Sequence, residues 1–253
     1  MIDYDLLRAE AARHPYPLLF ATISGTHLYG FPSADSDYDL RGVHILPARE
    51  AVGLLPKQET IEFSGLRSGI DMDLVTHDVL KFFMMLLKRN GYVLEQLYSP
   101  LVVQTSAEHE ELKAIAHGCV TRHHSHHYLG FGATQWDLFQ KDDPPRIKPL
   151  LYVYRVLLTG IHLMRTGRVE ANLLVLNEKF RLPYILDLVE RKIHGSEREP
   201  LGSGEAEFHR REYERLAAQL EFEANDSQLA NEPQCINELN DLLIRVRLRT
   251  NRL

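Results

Sequence analysis

The chain has 253 residues, of which 44% are hydrophobic and 25% are charged, and its formal net charge is −6. These values are ordinary for a globular protein, and a negative net charge is unfavourable for a protein that coats nucleic acid non-specifically. The sequence shows no apolar run of the roughly 20 residues that a membrane helix needs, so no membrane partner is expected.

The N-terminal residues and the cysteines predict a cytoplasmic protein. The first residues are acidic and amphipathic, unlike a signal or transit peptide. Cys119 and Cys235 lie far apart and have neither metal-ligand nor redox-motif spacing, so we expect both thiols to be reduced. Residues 1–105 carry 9 Lys and Arg against 13 Asp and Glu, and the rest carry 20 against 22. Neither part is a basic module, so duplex DNA is not an expected partner.

The first hundred residues have the pattern of a sheet with flanking helices. Apolar and β-branched runs bounded by Pro and Gly predict strands, and a change to helical spacing at Asp78 predicts helices after it. The predicted strands cover 18–24, 38–46, 59–63 and 68–76, and the predicted helices cover 3–13, 79–90 and 93–100.

The remainder of the chain is helical in pattern. Helices are predicted over 107–119, 124–140, 149–166, 183–193, 205–223 and 233–248, with a linker-like segment over 194–205. The predicted fold is therefore α+β, with a mixed-sheet domain over residues 1–105 followed by a mostly α-helical domain over residues 106–253.

Most of the candidate functional residues lie in residues 23–46, ISGTHLYGFPSADSDYDLRGVHIL. Gly25 follows a buried strand and allows a tight turn with close approach of a ligand, and the Thr26 hydroxyl can donate to a phosphate oxygen. Asp37 and Asp39 are spaced to project from one strand face, as two carboxylates sharing Mg²⁺ do. Asp71 and Asp73 share a face of a later strand and are the candidates for a third carboxylate.

Each of these features also has a structural explanation. The stretch DSDYD resembles an ordinary acidic turn, and Asp71 or Asp73 alone is more typical of a solvated strand face. Their combination favours a site, because five nearby aspartates are unfavourable without a cation to offset them.

The combination resembles the DNA polymerase β-like nucleotidyltransferase superfamily. Gly25-Thr26 followed by Asp37-Tyr38-Asp39 is similar to its Gly-Ser turn and two-carboxylate strand, and the run from Gly25 to Val43 is similar to predicted nucleotidyltransferases with a GSHLYG…DSDxDLRGV signature. Thr26 stands where Ser is usual and keeps the hydroxyl. The likeness extends over most of residues 18–170, and it implies that the first domain is a nucleotidyltransferase-type catalytic domain.

The resemblance implies roles for individual residues. Asp37, Asp39 and Asp73 would be catalytic and would hold two Mg²⁺ ions, with Mn²⁺ as a substitute and Asp71 as the alternative third ligand. Gly25 and Thr26 would contact the triphosphate of a nucleotide such as ATP. On the helical domain, the candidates for phosphate binding are Lys148, Tyr152 and Arg155, which share one helical face. Arg41 would either neutralise phosphate or pair with an aspartate.

The implied activity is Mg²⁺-dependent transfer of a nucleoside monophosphate from an NTP to an acceptor hydroxyl, with release of pyrophosphate. An RNA 3′ end, a protein side chain and a small molecule are all compatible acceptors. The alternatives are a non-catalytic nucleotide-binding protein on the same fold and a metal-dependent phosphohydrolase. The histidine run at His123, His124, His126 and His127, with Cys119 nearby, is a weaker candidate for zinc; a solvated or substrate-facing helix is favoured there.

Overall fold

The structure is a computed structural model that describes residues 2–55, 57–141, 145–195, 201 and 204–250. Within these ranges the chain forms two compact units. The first unit takes in residues 1–28, 37–119 and 232–253, and the second takes in residues 29–36 and 120–231. Most of the predicted linker over 194–205 lies outside the described residues.

The described part of the chain contains twelve α-helices, a 3₁₀ turn at His117–Cys119 and five strands. The helices are α1 (Tyr4–Ala11), α2 (Gly25–Tyr29), α3 (Ala48–Val52), α4 (Val79–Leu87), α5 (Gly91–Leu97), α6 (Ala107–Ala116), α7 (His124–Lys141), α8 (Ile147–Thr166), α9 (Leu173–Phe180), α10 (Pro183–His194), α11 (Glu205–Asp226) and α12 (Ile236–Thr250). The strands are β1 (Leu18–Ile23), β2 (Tyr38–His44), β3 (Thr60–Arg67), β4 (Ile70–Asp78) and β5 (Val102–Gln104). Among the described residues, none of the helices is long and apolar enough to cross a membrane.

The first unit is built on a mixed five-stranded sheet in the order β3-β4-β2-β1-β5. β2 and β4 run parallel, and the other neighbouring strands run antiparallel. A mixed sheet followed by a long run of helices confirms the predicted α+β class. The short strand β5 and the helices α3 and α9 were not predicted.

Strand β1 is buried throughout and apolar except at Thr22, because both faces of the sheet are covered at this point. Ala21 and Ile23 belong to a core cluster with Leu7 of α1. On the opposite face, the ring of Phe20 packs edge-on against Phe82 of α4 and stacks on His109 of α6. A strand buried on both sides reads as a continuous apolar run, which is the pattern that predicted it.

The C-terminal helix α12 belongs to the first unit. It packs against α3, α4 and α6. Arg247 pairs with Asp78 and donates to the carbonyl of Leu46 at 2.7 Å, while Asp78 also caps α4 by accepting from the Leu80 amide. One buried carboxylate therefore orders both the start of α4 and the position of α12.

The two cysteines correct a prediction. Cys119 and Cys235 form a disulfide with their Cα atoms 5.8 Å apart, so the expectation of two unpaired thiols was wrong. A separation of 116 residues gives no sequence signal of pairing, and only the return of the chain after the second unit brings Cys235 back to Cys119.

The compact units divide the chain differently from the predicted domains. Helix α6 and the 3₁₀ turn follow the predicted boundary at residue 105 but belong to the unit that contains the sheet, as does α12. The sequence could not indicate this grouping, because amphipathic helices that pack on a sheet and on other helices have the same spacing. The two-domain division at residue 105 stays a prediction.

The second unit is a group of helices around α8. Almost every residue of α8 from Leu150 to Met164 is buried, and the helix contacts α7, α9, α10 and α11. A helix that is apolar on all sides is typical of such a central position. Gly160 lets α7 and α11 approach closely, since a Cβ atom there would lie 2.8 Å from Cβ of Tyr128 and 2.9 Å from Cδ2 of Leu220.

Candidate nucleotidyl-transfer site

Two of the predicted carboxylates meet on neighbouring parallel strands. Asp39 of β2 stands directly opposite Asp73 of β4 in the register of the sheet. Their neighbours Leu40 and Leu74 point to the other face and are buried in the core with α1. Alternation in the strands thus places the apolar residues in the core and the two aspartates together on the opposite face.

Gly25 lies against the Asp39 carboxylate. A Cβ atom at this position would stand 1.7 Å from Asp39 Oδ2, and the backbone φ of Gly25 is +60°. The amide of Ser24 also donates to the Asp39 carbonyl at 2.8 Å. Glycine is required here for two reasons, because a side chain would collide with the carboxylate and because the backbone is left-handed.

The Arg41 guanidinium lies between the two carboxylates. Its Nη2 atom donates to Asp39 Oδ1 at 2.6 Å and to Asp73 Oδ2 at 2.8 Å. Burial by itself would lower the pKa of Arg41, but Tyr92 and the two aspartates outweigh burial and raise it above its usual value. Arg41 is therefore a permanent positive charge, and in this structure it pairs with aspartates, which was one of its two predicted roles.

Two hydroxyls beside Gly25 are buried without a hydrogen-bond partner. Thr26 is 5% exposed and Ser24 is 1% exposed, and neither the Thr26 Oγ1 nor the Ser24 Oγ atom has a partner among the described residues. Buried hydroxyls are normally paired, since leaving one unpaired costs about 1–3 kcal/mol. An unpaired donor next to a glycine that lies against a carboxylate is suited to a ligand oxygen.

The remaining predicted carboxylates lie at the edge of this arrangement. Asp37 precedes β2 and Asp71 lies near the start of β4, and both are exposed. Between Asp37 and Asp39, the ring of Tyr38 stacks on His27 of α2 with ring centroids 4.6 Å apart. This stack fixes α2, which begins at Gly25, against the strand that carries Asp39.

The carboxylates of this site meet the needs of a divalent cation only in part. Carboxylate oxygens are the ligands that Mg²⁺ prefers, and one nitrogen of Arg41 already marks a position from which a cation reaches both Asp39 and Asp73. Within the described ranges, however, no group of three or more His, Cys, Asp or Glu side chains is arranged to hold a metal ion. The structure brings two carboxylates together and leaves Asp37 and Asp71 outside the pair.

The three phosphate-binding candidates of the helical part lie in the second unit. Arg155 is 1% exposed, and its guanidinium lies 4.0 Å from the centroid of the Tyr29 ring. The Tyr152 ring packs edge-on against both Tyr29 and Phe31. Lys148 acts electrostatically on Asp35, whose carboxyl pKa is lowered first by its hydrogen bond with Ser33 and also by Lys192 and Lys148. These residues hold the segment 29–36, and their predicted role toward a nucleotide stays a prediction.

Sequence reasoning missed two residues that organise these segments. Tyr92, near the start of α5, accepts a hydrogen bond from Arg41 Nε at 2.8 Å through its hydroxyl. Lys192 of α10 donates to the Phe31 carbonyl at 2.9 Å and to Ser33 Oγ at 2.8 Å. Both contacts join positions at least 51 residues apart, and neither residue belongs to a motif, so the sequence carries no signal of them.

Among the described residues, the histidine run does not bring the candidate zinc ligands together. Cys119 is held in the disulfide, and His124 is buried beside Thr121, whose amide donates to His124 Nδ1 at 3.2 Å. His127 is turned toward Tyr128 and Phe131, and burial lowers the pKa of its imidazole, as does the charge of Arg155. Packing thus accounts for His124 and His127.

Comparisons with known proteins agree with the resemblance. The model of a family described as the RNA repair pathway DNA polymerase beta family (RlaP) matches residues 2–245. The uncharacterized protein MJ0002 of Methanocaldococcus jannaschii is 34% identical over 155 residues, which make up 61% of this chain and 63% of that protein. The match thus spans less than two thirds of that relative. The uncharacterized protein YcgL of Bacillus subtilis is 24% identical over 250 residues, covering 95% of this chain and 93% of its own.

A solved structure offers a more distant likeness. The nucleotidyltransferase-like protein from Exiguobacterium sibiricum aligns with 14% identity and a TM-score of 0.34, covering 88% of this chain and 74% of its own. A TM-score of 0.34 is too low to support a conclusion about fold or activity. The predicted membership of the polymerase β-like superfamily is confirmed by the family match over residues 2–245.

Proposed function

The chain belongs to the RNA repair pathway DNA polymerase beta family, and from this premise we propose that it is a metal-dependent nucleotidyltransferase acting on an RNA 3′ hydroxyl. The observation that carries the proposal is the corner where Gly25, Asp39 and Asp73 meet, with the buried Thr26 hydroxyl beside it. Binding of a phosphoryl group for transfer requires a hydrogen-bond donor, close approach of the protein backbone and carboxylates that can hold a cation. At this corner Thr26 supplies the donor, Gly25 allows the close approach, and Asp39 and Asp73 supply the carboxylates.

The nucleotide would be held by the segment from Ser24 to Thr26. Gly25 lets the triphosphate approach the backbone, and the Thr26 hydroxyl, which has no partner within the described ranges, donates to a phosphate oxygen. Ser24 Oγ is a second buried donor at the same turn. Such contacts position the α-phosphate for attack, and positioning accounts for much of the rate in phosphoryl transfer.

The proposed reaction exchanges a phosphoanhydride bond of the NTP for a phosphodiester bond to the RNA. The RNA 3′ oxygen forms a bond to the α-phosphorus of the NTP while the bond from that phosphorus to the α–β bridging oxygen breaks, and pyrophosphate leaves with that oxygen. The proton of the 3′ hydroxyl passes to Asp73. Arg41 occupies Asp73 Oδ2, so Oδ1 is the oxygen that faces the acceptor in this proposal.

Asp39 and Asp73 would hold the divalent ions, with Asp37 and the phosphates of the nucleotide completing the ligand set and Asp71 as the alternative third carboxylate. When bound, Mg²⁺ or Mn²⁺ supplies positive charge to the developing negative charge and lowers the pKa of the acceptor hydroxyl. Lys148, Tyr152 and Arg155 lie in the second unit, and their predicted role toward phosphates stays a prediction.

A transfer assay tests this proposal. The protein is incubated with a 3′-hydroxyl RNA oligonucleotide and each α-labelled NTP in turn, with Mg²⁺, with Mn²⁺ or with EDTA. We expect labelled, lengthened RNA and free pyrophosphate only with metal. The same RNA ending in a 2′,3′-dideoxynucleotide should accept no label, because it lacks the attacking oxygen.

Matched variants assign the carboxylates. Asp39→Asn and Asp73→Asn should each reduce transfer by at least about 100-fold, a loss of about 2.7 kcal/mol in transition-state stabilisation. Asp5→Asn, at an exposed position of α1, should leave transfer unchanged. If Asp71→Asn is the variant that abolishes transfer and Asp73→Asn is not, the third carboxylate is Asp71. Metal-dependent NTP binding with no transfer to any RNA would contradict the proposed reaction and favour the non-catalytic binder.

A further inference from the structure

A positive charge from the protein itself, the Arg41 guanidinium, lies between the carboxylates of Asp39 and Asp73. The side chains of these aspartates are 22% and 35% exposed, and the side chain of Arg41 between them is 9% exposed. Two carboxylates facing each other across adjacent strands repel, and the repulsion is strong where water is partly excluded. Arg41 removes this repulsion by bonding to one oxygen of each carboxylate through a single nitrogen.

Three further contacts hold the guanidinium in this place. Arg41 Nη1 donates to the carbonyls of Leu40 at 3.1 Å and Asp73 at 2.6 Å. Arg41 Nε donates to the Tyr92 hydroxyl at 2.8 Å. With all three of its nitrogens engaged, the guanidinium is fixed in its fork geometry and is not a mobile surface group.

We propose that Arg41 is the resident counter-ion of the acidic pair: it assembles Asp39 and Asp73 before any metal binds, and it competes with a divalent ion for the two oxygens that it holds. The proposal rests on the proposed function only for the identity of the competing ion. Arg41 is a positioning residue in this account, since it acts through the carboxylates.

Two consequences distinguish this role from ordinary packing. In metal-free protein, removing Arg41 should leave two facing carboxylates uncompensated, so removing one carboxylate as well should restore stability. In the presence of metal, removing Arg41 should make divalent ions bind more tightly, because the competing cation is gone. A merely structural arginine would produce the first destabilisation but neither the rescue nor the tighter binding.

The experiment compares wild type with Arg41→Met, Asp39→Asn and the double variant. Thermal unfolding in EDTA should show Arg41→Met lowered by about 5 °C or more and the double variant recovering part of that loss. Asp39→Asn alone should not raise the unfolding temperature, because its carboxylate is already neutralised. If the double variant is no more stable than Arg41→Met, the counter-ion role is overturned.

Metal binding provides the second test. Titration of Mn²⁺, followed by the electron paramagnetic resonance signal of the free ion, should give at least about 10-fold tighter binding to Arg41→Met than to wild type. Equal or weaker binding to the variant would overturn the competition. Should Arg41→Met fail to fold, Tyr92→Phe removes one hydrogen bond of Arg41 and leaves the charges of Arg41 and of the two aspartates in place. It should bind Mn²⁺ more tightly than wild type, and unchanged or weaker binding would contradict the proposal.

These outcomes separate the proposal from the proposed function. Suppose that neither wild type nor Arg41→Met binds Mn²⁺ but the double variant regains stability in EDTA. Arg41 then still neutralises the two aspartates, whereas its competition with metal and the metal dependence of the proposed function both fail. If wild type transfers nucleotides and the rescue is absent, the function stands and the role of Arg41 is lost.

Discussion

At the scale of single residues, the site depends on two neighbouring residues: Gly25, which must lack a side chain, and Thr26, which must have a hydroxyl. Gly25 must have no side chain, because Asp39 Oδ2 occupies the space where Cβ would be. Thr26 must have a hydroxyl in a place where burial disfavours an unpaired one. Such departures from good packing are typical of functional sites, where local stability is given up for ligand binding.

Gly25→Ala should abolish nucleotidyl transfer. The new methyl group would displace the Asp39 carboxylate, and the left-handed backbone adds about 1–2 kcal/mol of strain. The matched control is Gly69→Ala in the β3–β4 turn, where φ is +85° and nothing lies within 4 Å of the added Cβ. Gly69→Ala should lose only the stability that backbone strain accounts for, about 1–2 kcal/mol in urea unfolding, and keep its transfer rate. Full activity of Gly25→Ala would show that Asp39 is not needed in its present position.

Thr26→Val should weaken nucleotide use without destabilising the protein. Valine removes a buried hydroxyl that has no partner among the described residues, so the free energy of unfolding should stay level or rise. Loss of a hydrogen bond to a charged phosphate should raise the NTP KM by about 10-fold or more, and Thr26→Ser should retain most of the affinity. Thr22→Val is the contrasting control, because the Thr22 hydroxyl donates to the Gln96 carbonyl at 2.9 Å and its loss should destabilise. An equal KM for the valine and serine variants would remove the phosphate contact.

At the scale of elements, the close contacts of α8 explain why one helix needs a glycine. Gly160 lies in the middle of α8, where glycine is unfavourable by about 1 kcal/mol relative to alanine. It is tolerated because a side chain there would meet Tyr128 of α7 and Leu220 of α11. Packing between helices therefore outweighs helix propensity at this position.

Gly160→Ala should destabilise the protein by about 1 kcal/mol net, since overpacking of about 1–3 kcal/mol exceeds the gain in helix propensity. Gly130→Ala in α7 is the matched control, because nothing lies within 4 Å of its added Cβ. That variant should be stabilised by up to about 1 kcal/mol. Urea unfolding measures both changes, and a Gly160→Ala variant as stable as Gly130→Ala would contradict the tight packing of α7, α8 and α11.

The same elements show what the sequence could and could not predict. Strands β1, β2 and β4 and most helices were predicted within a few residues, because their apolar spacing reflects burial directly. The short strand β5 has too few residues to show a period, and the apolar residues of α9 stand in one unbroken run over 173–176 that has no helical spacing. Alternation in the strands left both Asp71 and Asp73 open as the third carboxylate, and the resemblance favoured Asp73, which the register places opposite Asp39. The Tyr92 contact and the disulfide depend on distant segments that carry no local pattern.

At the scale of the whole molecule, buried histidines make stability depend on pH. His44 is fully buried, with Nε2 at 2.9 Å from the Gln58 carbonyl and Nδ1 at 3.0 Å from the Thr76 hydroxyl. Nε2 must therefore carry the proton, and a neutral ring accepts from Thr76 at Nδ1. Burial lowers the pKa of His44 to about 4, and burial with the nearby charges of Lys81 and Arg41 lowers the pKa of His77 to about 4 as well.

The folded protein should therefore lose stability as pH falls. The pKa of these two histidines is lower in the folded state than the ordinary value of 6.5, so the unfolded chain binds more protons between those limits. The free energy of unfolding should drop by up to about 1.4 kcal/mol per pH unit for each histidine between about pH 6.5 and pH 4. His44→Gln should show a shallower fall in urea unfolding across this window. A slope equal to that of wild type would mean that His44 binds its proton as readily in the folded protein as in the unfolded chain.

The claim on which the whole account depends is that the corner formed by Gly25, Asp39 and Asp73 binds a metal–nucleotide complex. Calorimetric titration of each of the four NTPs, with and without Mg²⁺, tests it directly on wild type and on an Asp37→Asn/Asp39→Asn double variant. We predict Mg²⁺-dependent binding of at least one NTP to wild type and its loss in the double variant, which should remain folded because asparagine keeps the size of each side chain and Arg41 keeps its bonds to Asp73 and Tyr92. Binding that is indifferent to Mg²⁺, or equal in the two proteins, would contradict the claim and leave Asp39 and Asp73 with a structural ion pair to Arg41 alone.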